Sequence, residues 1–182
     1  MEMKMLELNR DELISRLKDM DKEAYLSLPG DHRYQVTIVG SGALILPGYI
    51  ERKTLDIDSI YVSQELYPLL EKYDFNIRAE TYINCLPYNF EDRTTLFLEG
   101  DKIYYYIPSL EDIITAKLCA ARPEDKEDVI SQDVLNKIDW DQLEYLATDD
   151  GELKAASMNE RNYKDFLHDF NEYMKRYKPC DN

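Results

Sequence analysis

Basic residues are scarce in this chain. Of its 182 residues, 22 are lysine or arginine against 37 aspartates and glutamates, a formal charge of −15. That balance excludes a protein that coats nucleic acid by charge alone, though not a local basic cleft. Cysteine is scarcer, and Cys85, Cys119 and Cys180 lie far apart with no CxxC among them. A disulfide framework and a structural zinc site are therefore not expected. The two histidines, His32 and His168, are remote in sequence, which removes an HExxH site and catalysis built on several imidazoles. Long apolar runs are missing too. The least charged stretch, 35–50, is broken by Gly40, Gly42, Pro47 and Gly48 and is too short to span a bilayer. The opening MEMKMLELNRDEL carries acids early and has no signal-peptide core, so the expectation is a soluble cytoplasmic protein without membrane contact. There is no Walker A sequence, and Ile45 stands where a Rossmann fingerprint needs its third glycine.

What is present suffices for a core: 44 % of residues are hydrophobic and 12 % aromatic. The pattern predicts a helix over 10–20 capped by Asn9, a strand over 35–39 and a short helix over 43–46. A strand over 55–62, a helix over 63–73 and a strand over 76–85 follow. Gly100-Asp101 separates strands 94–99 and 102–107, with the glycine read as the first residue of a type II′ turn. Of Tyr104, Tyr105 and Tyr106, the middle one faces opposite the others, which favours packing over base stacking. Beyond Pro108 the chain turns helical. Ser109 caps one helix, Pro123 opens another, 133–147 holds a third around Trp140, and 148–156 is a polar loop. The last helix, 159–177, carries the stripe Tyr163, Phe166, Leu167, Phe170, Met174 and Tyr177. The expected fold is α/β (α+β): a mixed-sheet core over 1–107, then a helical subdomain over 108–182.

Two constellations bear on chemistry. Gly40-Ser41-Gly42 follows a strand and opens a helix, a turn that can aim backbone N–H groups at phosphate; the alternative is a tight turn that needs glycine sterically. Asp56 and Asp58, at i and i+2 of a strand, share a face at roughly 7 Å spacing. Like charges beside an apolar face call for a partner, and a divalent cation, Mg²⁺ or Mn²⁺, satisfies hard carboxylate oxygens. The alternative is a solvated strand end paired with Arg52 or Lys53. In the next helix Lys117 interrupts the apolar stripe of Leu110, Ile113, Ile114, Leu118 and Ala121, and Asp125 and Asp128 share a face downstream. That set reads equally as an ordinary ion-pair network.

The chain Gly40-Ser41-x14-Asp56-Ile57-Asp58 resembles the nucleotidyltransferase fold of the DNA polymerase beta superfamily. The resemblance implies that Gly40 and Ser41 hold a triphosphate and that Asp56 and Asp58 bind metal. Arg52 and Thr54 shortly before the acids also fit its minimal bacterial members. Lys117-Leu118-x3-Arg122-x2-Asp125-x2-Asp128 resembles AbiEii-like proteins, nucleotidyltransferase-like toxins of abortive-infection and toxin–antitoxin systems. There the resemblance assigns Lys117 to offset triphosphate charge and Asp125 or Asp128 to position Lys117 or the acceptor. For a third metal carboxylate the candidates are Glu80, Glu91, Asp92 and Glu99. The implied activity is transfer of a nucleoside monophosphate from an NTP to tRNA, protein or a small molecule, with a cognate antitoxin as partner. The charge of −15 tilts the acceptor away from tRNA. The alternative is a catalytically degenerate binding module or antitoxin-type partner.

Overall fold

The computed structural model describes residues 7–77, 79, 83–148 and 160–180. The fold is mixed α/β, a five-stranded mixed sheet followed by a C-terminal helical region. The chain divides into two compact units, 1–80 with 94–108 and 81–93 with 109–182. Among the described residues no helix is long and apolar enough to cross a membrane.

In the first unit, α1 (Arg10–Ser27) starts at a capping box: Asn9 Oδ1 accepts the Glu12 N–H at 3.0 Å and Glu12 Oε2 accepts the Asn9 N–H at 2.7 Å. It runs seven residues beyond the expected end because Met20, Asp21 and Ala24 continue its buried face. Strands β1 (Tyr34–Ile38), β2 (Ile57–Ile60), β3 (Phe75–Asn76), β4 (Thr95–Glu99) and β5 (Ile103–Ile107) lie in the order β3-β2-β1-β5-β4. β1 is antiparallel to β2 and parallel to β5. Helix α2 (Gly42–Ile45) follows β1, and α3 (Tyr67–Lys72) follows a 3-10 turn over Gln64–Leu66. Tyr105 is fully buried and donates its hydroxyl to the Leu17 carbonyl at 2.8 Å, whereas Tyr104 and Tyr106 are half-buried.

Two strands are shorter than expected. β2 spans Ile57–Ile60 because Leu55 is exposed and Tyr61 adopts φ 55°, which breaks the extended run. β3 is Phe75–Asn76, started from Asp74 at φ 58°; of the 76–85 strand expected, residues 78 and 80–82 lie outside the described residues.

The β4–β5 hairpin forms, but its glycine has another purpose. The Gly100 N–H donates to the Ile103 carbonyl at 2.9 Å, so Asp101 and Lys102 make the turn, and Gly100 has no positive φ. A Cβ at Gly100 would land on the Asp21 carboxylate. That buried carboxylate accepts the N–H groups of Asp101 at 2.9 Å, Lys102 at 2.9 Å and Ile103 at 2.7 Å, fastening α1 to the hairpin. Hydrogen bonds to a charged group contribute about 1.5–3 kcal/mol each. Gly100→Ala displaces the carboxylate and is expected to cost about 2–4 kcal/mol of unfolding free energy, read from urea midpoints. A loss under about 0.5 kcal/mol, the range of an ordinary surface change, refutes the clamp.

The second unit comprises α4 (Leu110–Ala120), α5 (Pro123–Val129), α6 (Gln132–Leu135), α7 (Trp140–Thr148) and α8 (Glu160–Tyr177). The sparse cysteines do form one cross-link: Cys85 and Cys119 are disulfide-bonded, with Cα atoms 5.6 Å apart, while Cys180 is free and exposed. Arg93 also reaches α4. Its Nε and Nη2 donate to Asp112 at 3.0 and 2.8 Å, and Ser109 Oγ donates to the same carboxylate at 2.6 Å. On α8, Tyr163, Phe166, Phe170 and Tyr173 are buried; Tyr173 joins the expected stripe, while Leu167, Met174 and Tyr177 are half-buried. The polar loop expected over 148–156 lies, but for Thr148, outside the described residues.

The single helix expected over 133–147 divides into α6 and α7 because Asp139 interrupts it as a cap. Its Oδ1 accepts the Gln142 N–H at 3.0 Å, and its own N–H donates to Glu111 Oε1 at 2.8 Å. Burial raises the Glu111 and Asp112 carboxyls above their usual range; the Asp139 N–H offsets this at Glu111, and Arg93 and Ser109 offset it at Asp112. A raised carboxyl binds more protons folded than unfolded. Its stabilising contribution is complete below the ordinary value, 4.5 for Glu111, and is lost as pH rises through the raised one. The share of stability that Glu111 contributes is thus expected to be lost as pH rises above 4.5, and Glu111→Gln, which keeps an acceptor for Asp139, should remove that part of the pH dependence. Denaturation midpoints across that range measure it; a variant with an unchanged slope refutes it.

Candidate active site

β1 ends where β2 begins, and this sets the Gly-Ser turn beside the acids. The antiparallel register pairs Ile38 with Ser59, and the Val39 N–H donates to the Asp58 carbonyl at 2.9 Å. Gly40 follows Val39 at once. Its φ of 64° is the left-handed conformation that glycine adopts without steric cost. Gly42 is favoured for a different reason: a Cβ there would crowd Ile38 Cγ2 at 3.3 Å and touch Ile57 Cγ2 at 3.7 Å. The pair of glycines therefore bends the chain and lets α2 press onto β1 and β2. Arg10 Nε holds the far end of α2 through the Leu46 carbonyl at 2.7 Å.

The acids stand on this frame. Asp58 lies in β2 and is half-buried; Asp56 is also half-buried but lies one residue before the strand. Asp56 therefore belongs to the entry loop, and the two half-buried acids alternate with the buried Ile57 and Ser59. Asn76 Nδ2 donates to Asp58 Oδ1 at 2.8 Å across the parallel pair β2–β3. Arg52 Nη2 donates to the Ser41 hydroxyl, and its Nη1 to the Lys53 carbonyl at 3.1 Å. Thr54 is fixed by paired backbone bonds with Leu8 at 2.7 and 3.0 Å, and its hydroxyl donates to the Asp56 carbonyl at 3.2 Å. The first unit thus brings together Gly40, Ser41, Arg52, Thr54, Asp56 and Asp58, and adds Asn76. No sequence motif marked Asn76; only the register of a two-residue strand reveals it.

Lys117, Arg122, Asp125 and Asp128 come together in the second unit. Lys117 is 1 % exposed, and its Nζ lies 2.7 Å from Asp125 Oδ1 and 2.9 Å from Asp128 Oδ2. Arg122 Nε adds a 2.7 Å bond to Asp125 Oδ2. Asp125 is fully buried and Asp128 nearly so. The helix turn that makes this possible is tight: Ala121 ends α4 at φ 54°, and Pro123 opens α5 two residues later. Two cations face these two carboxylates, and Arg122 Nε also lies 3.7 Å from Glu124 Oε1.

Asp56 and Asp58 suit a magnesium ion that keeps several waters and takes its remaining oxygens from substrate phosphates, needing one or two carboxylates from the protein. Among the described residues no group of three or more histidines, cysteines or acids could hold a metal. The candidates for a third carboxylate are dispersed. Glu99 pairs with Tyr104, level with Gln35, at the other end of β1 from Gly40. The strand rise puts that separation at roughly 17 Å. Glu91 and Asp92 are exposed on a 3-10 turn of the second unit, and Glu80 lies outside the described residues.

The comparison with protein families gives one finding. A family described as nucleotidyltransferase of unknown function (DUF6036) matches residues 15–178. No curated protein and no solved structure matches the chain.

Proposed function

The chain belongs to this nucleotidyltransferase family, and on that premise we propose that it moves a nucleoside monophosphate from an NTP to an acceptor with the help of Mg²⁺ or Mn²⁺. The observation that carries the reading is the Val39–Asp58 backbone bond, which aligns the Gly40-Ser41 turn with the acids. Asp56 and Asp58 would hold the metal, with Asn76 fixing the orientation of Asp58. When bound, the ion would neutralise phosphate charge and orient the attacking oxygen. Gly40 and Ser41 would take the phosphates, and Arg52 would hold the Ser41 hydroxyl in place. Thr54 would steady the entry loop through the Asp56 carbonyl. The acceptor hydroxyl oxygen bonds to the α-phosphorus and gives up its proton to solvent, and pyrophosphate leaves with the electrons of the broken P–O bond.

Lys117, Asp125 and Asp128 enter the proposal as positioning residues, with Arg122 supporting Asp125. The two carboxylates already compensate the Lys117 ammonium, so its gain is orientation rather than free charge. The charge of −15 favours a small molecule or a protein over tRNA as acceptor. A place in a toxin–antitoxin or abortive-infection system, in the manner of AbiEii-like proteins, is the biological setting proposed with it.

Calorimetric titration with each of the four NTPs, with and without Mg²⁺, tests the reading. Metal-dependent binding with a base preference is expected. A folded protein that binds no nucleotide refutes it and favours a degenerate binding module.

A further inference from the structure

The helical unit contains a cavity of about 620 Å³ that the proposed chemistry leaves unused. Its size lies within the range of about 300–1,000 Å³ typical of small-molecule sites. Leu118 of α4, Val129 and Ile130 at the end of α5, and Tyr173 and Tyr177 of α8 supply apolar and aromatic wall. Tyr173 is held in place, its hydroxyl donating to the Val129 carbonyl at 2.7 Å. Lys117, Asp125 and Asp128 do not line it.

The rim is charged, and its charges form no ion pairs with one another. Lys126, Lys175 and Arg176 stand there with Asp169 and Glu172. None of these five forms an ion pair among the described residues. Arg176 instead lies over the Tyr177 ring at 5.4 Å. The C-terminal end of α8 accounts for Lys175 and Arg176 through the helix dipole. Lys126 stands in the last turn of α5 in the same way, within the acid-rich segment Glu124–Asp128; the dipoles explain each cation singly but not why two helices bring all three to one cavity. In a chain with so few bases, three cations converge on one apolar cavity. The two acids reduce the rim to one net positive charge, which suits a monoanion and works against a polyphosphate.

We propose that this cavity binds a small organic monoanion with an apolar or aromatic body, its charge facing Lys126, Lys175 and Arg176. The site is separate from the nucleotide chemistry and stands or falls independently of it.

Trp140 is the chain's one tryptophan, and its ring centroid lies 6.0 Å from that of Tyr173. Its emission therefore reports on the cavity wall. Titration with 8-anilinonaphthalene-1-sulfonate is expected to quench Trp140 saturably, with one site. The uncharged N-phenyl-1-naphthylamine should bind more weakly. Reversing Lys126→Glu and Arg176→Glu should weaken the sulfonate by about tenfold or more, equivalent to about 1.4 kcal/mol, and change the uncharged probe by less than about twofold. On the unaltered protein, decanoate should displace the sulfonate and decanol should not, which keeps the test independent of how the variant folds. Absence of saturable Trp140 quenching overturns the proposal. So does equal affinity for both probes, displacement by decanol as readily as by decanoate, or indifference to the charge reversal in a variant with wild-type circular dichroism.

Discussion

Lys117→Met is expected to lower the unfolding free energy by about 3–5 kcal/mol, the usual consequence of removing one partner from a buried ionic set. The native ammonium is 1 % exposed between Asp125 and Asp128, at 2.7 and 2.9 Å. Methionine fills much of the same volume, so lost packing is a minor part of the effect. The larger part is electrostatic: Asp128 loses the cation at 2.9 Å, and Asp125 keeps the partly exposed Arg122 at 2.7 Å. Adding Asp125→Asn and Asp128→Asn to Lys117→Met should restore most of the loss at neutral pH, because the buried charges go with the cation. Chemical denaturation of the single and triple variants at neutral pH decides it. A single variant within about 1 kcal/mol of wild type shows that the network is weakly coupled to folding.

The triple variant also bears on function. A merely structural network predicts that the refolded triple variant binds Mg²⁺–NTP like the wild type. The positioning role proposed here predicts restored stability without restored nucleotide-dependent chemistry. Stability and activity thus separate the two meanings of the same four side chains, which patterning left equal.

Much of the site was legible because its chemistry is written in short-range terms. Gly40-Ser41-Gly42 declares a turn whatever surrounds it, and Lys117 within an apolar stripe must be compensated locally by acids such as Asp125 and Asp128. The reasons for particular residues were less legible when they depended on distant neighbours. Gly100 looked like a glycine needed for its φ, yet the space for its Cβ is taken by Asp21, which arrives from α1 some eighty residues earlier. Asp139 has the composition of a helix residue, but Glu111 and Gln142 make it a cap. Asn76 could not be found from spacing, since its link to Asp58 arises only when β2 and β3 pair in parallel. Cys85 and Cys119 are unremarkable at a separation of 34 residues until the segment before Arg93 folds against α4. Except for the local Asp139–Gln142 cap bond, the missing information in each case is a tertiary contact that composition does not encode.

The second large effect is expected at the acids. Asp56→Asn with Asp58→Asn should abolish the part of NTP affinity that depends on Mg²⁺, a loss of about 100-fold or more. That figure corresponds to the several kcal/mol contributed by a bound metal against phosphate charge. Asparagine preserves size and one acceptor oxygen but removes the formal charge on which a hard cation depends. Both side chains are half-buried at the mouth of β2 rather than in the core, so the melting temperature should change little. Asn76→Ala provides the graded control: it keeps both carboxylates and frees one of them from its 2.8 Å bond. Loss of an orienting partner of this kind typically weakens metal affinity by about 10–100-fold. The expected order of Mg²⁺-dependent affinity is therefore wild type, then Asn76→Ala, then the double variant. Residual binding measured without Mg²⁺ should be no weaker in the double variant than in the wild type, since two carboxylates that repel the triphosphate are gone. If the double variant retains the Mg²⁺ dependence, Asp56 and Asp58 are not the metal ligands and the alignment of Val39 with Asp58 serves the sheet alone.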